Sequence, residues 1–217
     1  MSKNVYKEIT DAILAYDADG TVKATKKALS QGIGPNEIID NAVGKTLTEV
    51  GGKFQKGELF LPQMVAIAAC VTKALTDVIE PEIKKRNLKM KSKGVIVIGT
   101  VEGDVHDIGK SIVAAMLIAD GFEVHDIGKD LVTDKFIEAA KKYNANIIGA
   151  SAMLTETRPF QREIAIALKK AGLNEKVKYM LGGVAADEAW AEQCNAIFSF
   201  NCVSAVQDAN KLMGVKK

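Results

Sequence analysis

The sequence predicts an α/β protein in two parts: an N-terminal four-helix bundle over residues 1–90, then a doubly wound, five-stranded parallel sheet over residues 91–217. Two observations predict this division. Apolar residues of the first part recur at helical spacing, as on one face of a helix. The second part alternates short apolar runs with helical segments. With 47% hydrophobic residues in the chain, each part can bury a core.

Four helical segments make up the first part, at residues 5–15, 21–29, 39–54 and 61–78. The last has the clearest apolar face, which is formed by Leu61, Met64, Val65, Ala68, Val71, Leu75 and Val78. Turns that contain glycine separate the segments, and Pro35 and Pro62 stand where the first turn of a helix accepts proline. Short helices joined by tight turns predict a small antiparallel bundle.

Five apolar runs in the second part predict buried strands, at residues 94–99, 123–127, 146–151, 177–181 and 196–200. Helical segments follow them at residues 108–117, 134–143, 160–171, 185–193 and 203–213. Strands that alternate with helices require right-handed crossovers and a parallel sheet. The expected architecture is flavodoxin-like, and such sheets bind ligands beyond the carboxyl ends of their strands.

Composition and charge exclude several classes of protein. The chain has 29 Lys and Arg against 27 Asp and Glu, with no dense basic block, so we expect no nucleic-acid partner. No uninterrupted apolar run approaches the ~20 residues that span a bilayer, and the N-terminus does not resemble a signal peptide. Three cysteines without a CxxC pair indicate neither a disulfide framework nor a zinc site. These features predict a cytoplasmic protein with no membrane partner.

The loop after the first strand carries the candidate chemistry, and three interpretations compete for it. Gly99, Gly103 and Gly109 lack the spacing of a phosphate-binding loop. A phospho-receiver would need a lysine at a later strand end, and strands three to five have none there. The third interpretation is that His106 binds a metal, with Asp104 orienting its ring. A single protein ligand suits a metal held by a macrocycle, whereas the simpler alternative is a histidine that only caps the next helix.

Three motifs in register resemble those of cobalamin-binding domains. The loop after the first strand has the DxHxxG motif. Ser151 and Met153 stand at the SxL positions of that family, and Gly182-Gly183 stands at its later GG. Residues 56–63 also resemble the start of the last helix of the helical cap in that family. The chain is most similar to the free-standing corrinoid proteins of methylamine and methanol methyltransferase systems, and more distantly to the cobalamin module of methionine synthase.

The resemblance implies a cobalamin site for which we predict no catalytic residue. His106 would be the lower axial ligand to cobalt and would displace the benzimidazole of the cofactor, so that the corrinoid is bound base-off. Asp104 would hydrogen-bond His106, and Thr157 would extend that relay where methionine synthase has serine. The other predicted contacts are Val105, Asp107, Ile108 and Gly109 in the motif; Ser151, Met153, Thr155, Gly182 and Gly183 along the nucleotide tail; Asn201 and Cys202 near its end; and Phe60 and Leu61 over the upper face.

The function implied by the resemblance is that of a non-catalytic carrier subunit. Its cobalt would take a methyl group from a substrate-specific methyltransferase, of methylamine type by preference. A second methyltransferase would pass it to a thiol or pterin acceptor, and a reductive activation protein would be a third partner. Residues 80–93 are charged and poor in apolar side chains, which predicts a solvated helix end that runs into a linker and hinge. The alternatives are a cobalamin-dependent sensor or regulator and the small subunit of a mutase.

Overall fold

The computed structural model describes residues 2–88 and 92–215, and the chain divides into two compact units. The first unit holds the N-terminal helices and the second holds the sheet. The domain boundary predicted at residues 90 and 91 lies outside the described residues. The two units are therefore described separately.

The first unit is built from four consecutive helices, as the sequence predicts. The third and fourth helices each contain a turn of π-helix, and each helix continues through that turn without a break. The helices are α1 (Ser2–Leu14), α2 (Ala18–Ser30), α3 (Pro35–Ile38, Ile39–Val43 and Gly44–Gln55) and α4 (Leu61–Lys85). Asp17 is the N-cap residue of α2, and its side chain accepts a hydrogen bond from the Gly20 N–H. Ile9, Val50 and Val71 are among the buried residues of this unit.

Helix α4 continues to Lys85, so the first residues of the charged segment 80–93 form a helix end, as the sequence predicts. Ile83 is buried, and Glu82 pairs with Arg86 at 2.6 Å, so this charged segment still has an apolar side that packs. Helix α4 has 25 residues and a mean hydropathy of 1.3 in its most apolar window. By length and composition alone, it is long and apolar enough to cross a membrane, although the sequence shows no uninterrupted apolar run of that length. Half of that window is buried within the protein, as in the core helix of a bundle.

The second unit is a five-stranded parallel sheet in the order β2-β1-β3-β4-β5, which confirms the predicted flavodoxin-like class. The strands are β1 (Val95–Thr100), β2 (Glu123–Asp126), β3 (Ile147–Ser151), β4 (Lys178–Gly182) and β5 (Ile197–Phe198). The helices are α5 (Ile108–Ala119), α6 (Thr133–Tyr143), α7 (Arg158–Lys170), α8 (Glu188–Gln193) and α9 (Cys202–Leu212). Strand β5 is shorter than the five residues predicted for it.

Both faces of the sheet are covered, so the central strands are apolar throughout. Phe136, Ile164 and Tyr179 belong to the core on one face, and Ile96 and Leu117 belong to the core on the other. The strand order reverses at β1, with β2 on one side of it and β3 on the other, and this is where flavodoxin-like sheets open a crevice for ligands. The loops that follow β1 and β3 carry the DxHxxG motif and Met153.

Candidate functional site

Asp104 is the centre of the site, at the carboxyl ends of β1 and β3. Its side chain is fully buried and accepts hydrogen bonds from both loops. Oδ1 accepts from the His106 ring Nδ1 at 2.8 Å and from the His106 backbone N–H at 3.0 Å. Oδ2 accepts from the Met153 N–H at 2.6 Å, the Leu154 N–H at 3.3 Å and the Thr157 hydroxyl at 3.0 Å. One carboxylate thus fixes the histidine loop to the loop after β3.

Two opposing effects set the pKa of Asp104. Burial favours the neutral acid and raises it, while hydrogen bonds from the backbone N–H groups of His106 and Met153, the His106 ring and the Thr157 hydroxyl lower it. The donors outweigh the burial, and the pKa falls to about 2. Asp104 is therefore ionised at neutral pH.

The ionised carboxylate fixes the tautomer of His106. Because Oδ1 can only accept, Nδ1 of the ring carries the proton, and Nε2 keeps its lone pair. The His106 side chain is 44% exposed, so it is not part of the core. Among the residues that the structure describes, no three His, Cys, Asp or Glu side chains form a group that could hold a metal ion. A metal at His106 would therefore need most of its ligands from a cofactor.

The loop after β2 supports the histidine loop from the other side, which sequence reasoning missed. Asp130 accepts from the Gly103 N–H at 2.8 Å and donates its own N–H to the Asp104 carbonyl oxygen at 3.0 Å. Lys129 pairs with Asp107 at 3.1 Å. Next to them, the buried side chain of Lys110 pairs with Asp126 at the end of β2. These contacts hold both ends of the segment that presents His106.

Apolar side chains are exposed at the strand ends. They follow β1, β3, β4 and β5, and they are Val105, Ile108, Met153, Leu154, Val184 and Phe200. Val184 and Phe200 are each 81% exposed, and sequence reasoning named neither as a site residue. Met153 and Leu154 are 45% and 39% exposed, so neither side chain belongs to the core. An exposed apolar surface beside a histidine with a free ring nitrogen suits a large apolar ring with a metal at its centre.

The glycines predicted at the site meet different surroundings. At Gly183, where φ is +101°, an added Cβ would lie 2.0 Å from the Ala152 carbonyl oxygen. At Gly182 it would lie 3.1 Å from the Ser199 carbonyl oxygen. At Gly109, an exposed residue in the first turn of α5, it would meet no atom within 4 Å. The fold itself requires Gly183, whereas the space at Gly109 is open to a ligand.

The remaining predicted contacts are less closely grouped. Ser151 ends β3 and is half-buried, and Thr155 is exposed in the loop that follows. The Asn201 side chain caps α9 by accepting from the N–H groups of the next residues. Cys202 is buried, and burial raises the pKa of its thiol to about 11. Phe60 and Leu61 belong to the helical unit, where both are exposed.

Comparison with known proteins agrees with this geometry. Two family models described as B12 binding domains match the chain, one over residues 94–203 and the other over residues 5–77. Dimethylamine corrinoid protein 1 of Methanosarcina mazei is 43% identical over 212 residues, which cover 97% of this chain and 97% of that protein. The chain belongs to the corrinoid proteins of methylamine and methanol methyltransferase systems. Trimethylamine corrinoid protein 1 of Methanosarcina acetivorans is 40% identical to this corrinoid protein over 89% of each chain.

A solved structure shares the fold over nearly the whole chain. It is the methanol:cobalamin methyltransferase complex MtaBC from Methanosarcina barkeri, which superposes with a TM-score of 0.83 at 26% identity. The match covers 99% of this corrinoid protein and 81% of the matched chain. The helical unit and the sheet both belong to the architecture of the family.

Proposed function

We propose that this corrinoid protein binds a cobalamin-type corrinoid base-off, with His106 as the lower ligand to cobalt. The Asp104–His106 pair carries the proposal, since it places a ring proton on Nδ1, so that Nε2 of the neutral ring has the lone pair, and fixes the ring by a 2.8 Å hydrogen bond. As a member of its family, the chain is a methyl-carrying protein of a methyltransferase system, and it has no catalytic residue of its own in this proposal. The bound corrinoid supplies the cobalt that accepts and releases the methyl group.

The residues below His106 control whether Nε2 offers a lone pair or a proton. With Nδ1–H bound to Asp104, a proton taken up at Nε2 gives an imidazolium that the buried carboxylate stabilises. The Thr157 hydroxyl donates to the other carboxylate oxygen and keeps the negative charge in place. A ring that is protonated at Nε2 has no lone pair for a metal, so protonation of this pair would release the metal from His106.

The nucleotide tail of the corrinoid is proposed to lie along the strand ends of the sheet. Gly182 and Gly183 bring backbone to the surface there, beside the half-buried Ser151 and the exposed Met153 and Thr155. Gly109 leaves room where α5 begins. Val105, Asp107 and Ile108 flank the histidine, while Asn201 and Cys202 begin α9 and lie nearest the end of the proposed tail path. Val184 and Phe200 add exposed apolar surface to it.

Methylamines are the proposed source of the methyl group. The relatives at 40–43% identity are dimethylamine and trimethylamine corrinoid proteins by name, which supports this class over methanol. The proposed partners are a methylamine:corrinoid methyltransferase, a second methyltransferase with a thiol or pterin acceptor, and a reductive activation protein. The two exposed residues at the start of α4, Phe60 and Leu61, are proposed to shield the methyl group. Three free, buried cysteines fit the cytoplasmic location that we propose.

Reconstitution tests the proposal directly. Purified protein is mixed with hydroxocobalamin, desalted and assayed for corrin absorbance, and we expect close to one corrinoid per chain. In the His106→Ala variant the corrinoid should stay bound through its tail, while the nitrogen hyperfine splitting of reduced, paramagnetic cobalt is lost. The matched control is His125→Ala, because His125 bonds Glu123 on β2 and stacks on Tyr143, and its spectrum should not change. Unchanged nitrogen splitting in His106→Ala would contradict the assignment.

The open space at Gly109 gives a separate prediction. Gly109→Ala should leave the free energy of unfolding of the apoprotein unchanged or raise it by up to about 1 kcal/mol, because alanine favours a helix. The same change should weaken cobalamin binding about tenfold or more, since overfilling a packed contact costs about 1–3 kcal/mol. Gly52→Ala, at another helical glycine with no atom within 4 Å of an added Cβ, is the control: it should change the free energy of unfolding in the same direction and leave cobalamin affinity unchanged. Equal cobalamin affinity in Gly109→Ala and wild type would place the cofactor elsewhere.

A further inference from the structure

A buried glutamine joins three elements near the Gly182–Gly183 turn. Gln161 lies on α7 and is fully buried. Its side-chain Nε2 donates to the carbonyl oxygens of Ala150 on β3, at 3.0 Å, and of Gly182 on β4, at 2.9 Å. Its Oε1 accepts from the indole N–H of Trp190 on α8 at 3.1 Å. Both polar atoms of the amide are therefore used inside the protein.

A second side chain, from the first helical turn of α7, contacts the chain segment that follows Gly182 and Gly183. The Arg158 guanidinium lies 4.6 Å from the centre of the Trp190 ring and donates to the Ala185 carbonyl oxygen at 3.3 Å. Helix α7 begins directly after Thr157, whose hydroxyl donates to Asp104. One helical turn thus contacts both the histidine relay and the chain segment that follows β4.

The peptide between Gly182 and Gly183 has little freedom to move. The Gly182 carbonyl oxygen accepts from the Ala152 N–H at 3.1 Å in addition to Gln161. Gly183 packs against the Ala152 backbone so closely that a Cβ would overlap it. Because Gln161 is buried, it cannot touch a ligand itself, and its influence must pass through the carbonyl oxygens that it holds.

We propose that Gln161 is a positioning residue for the nucleotide tail of the corrinoid. It sets the spacing of β3 and β4 at their last paired residues, Ser151 and Gly182, and so fixes the backbone along which the tail lies. Trp190 holds the amide in the orientation that bridges the strands. This inference rests on the proposed base-off binding, in which the tail occupies the strand ends.

The test compares two ligands that differ in the tail. Cobalamin carries the nucleotide tail, and cobinamide has the same corrin ring without it. For Gln161→Met, which keeps the length of the side chain and removes both donors, we expect about tenfold weaker cobalamin binding and cobinamide binding within about twofold of wild type. If Gln161→Met does not fold, Trp190→Phe is the second variant: it keeps an aromatic ring beside Arg158 but removes the indole N–H together with part of the ring volume, and we expect a smaller change in the same direction.

A matched control separates positioning from general loss of stability. Tyr179→Phe removes another buried hydrogen bond to the same residue, from the tyrosine hydroxyl to the Gln161 main-chain oxygen at 2.8 Å, and leaves the bridging amide intact. It should not change the ratio of the two affinities. An equal loss of both ligands in Gln161→Met, or an unchanged ratio, would overturn the role of Gln161. A wild-type protein that binds cobalamin and cobinamide equally would instead contradict the proposed placement of the tail.

Discussion

Asp104→Asn should lower the free energy of unfolding of the apoprotein by about 3 kcal/mol, because an amide cannot accept all the hydrogen bonds that the buried carboxylate accepts. The amide NH₂ would face donors on one side, either those of His106 or those of Met153 and Thr157. Urea unfolding at pH 7 measures the loss. Asp107→Asn is the matched control, since Asp107 is partly exposed and its pair with Lys129 is of the surface kind that contributes little.

The same carboxylate gives the apoprotein a dependence on pH. The pKa of Asp104 is about 2 in the folded protein, whereas an unfolded aspartate has a pKa near ~3.9. Because the folded value is the lower one, this group's contribution of about 2 kcal/mol is present in full above about pH 5 and is lost as the pH falls through 4 towards 2. The Asp104→Asn variant should lack this part of the acid loss. An acid profile that is identical in the variant and in wild type would contradict the hydrogen-bonding pattern of Asp104.

Gly183→Ala should be the most destabilising single-methyl change at the site, with an expected loss above about 3 kcal/mol or failure to fold. A Cβ there would lie 2.0 Å from a backbone oxygen, at a φ of +101° that side chains other than glycine rarely adopt. The atom in the way is main chain, so no rotamer change relieves the overlap. Chemical denaturation of the apoprotein, followed by cobalamin titration of whatever folds, measures the effect.

Gly128→Ala separates the two causes of that loss. Gly128 has nearly the same φ, +104°, but a Cβ there would meet no atom within 4 Å. Its substitution should cost only the backbone strain, about 1–2 kcal/mol. The difference between the two variants then measures the overlap with Ala152. Similar losses in both would show that the loop after β3 can move away from Gly183.

Local signals in the sequence were sufficient for most of the fold and for the centre of the site. Strands β1, β3 and β4 consist mainly of β-branched and other apolar residues because both faces of the sheet are covered, so their composition identifies them. Asp104 and His106 are two residues apart, and such a pair can be inferred from spacing alone. Thr157 was predicted only through the resemblance to methionine synthase.

The parts that were not predicted depend on contacts between distant segments. Gln161 bonds residues 11 and 21 positions away, and its position on a helix gives no sign of this. Asp130 reaches Gly103 across 27 positions. Val184 and Phe200 resemble core residues by type, and only the three-dimensional structure shows that they are exposed. The end of α4 was predicted to be solvated, whereas Ile83 is buried there, because the charged residues around it hide its apolar side in the sequence.

The buried cysteines have a consequence for a protein that transports an electrophilic methyl group. A thiolate close to such a group would be methylated in place of the intended acceptor, and that methyl group would be lost to the transfer reaction. Burial raises the pKa of Cys70 and Cys194 and brings that of Cys202 to about 11, so at neutral pH about one Cys202 in 10⁴ is a thiolate. A neutral thiol is a poor nucleophile, so we expect these cysteines to resist methylation.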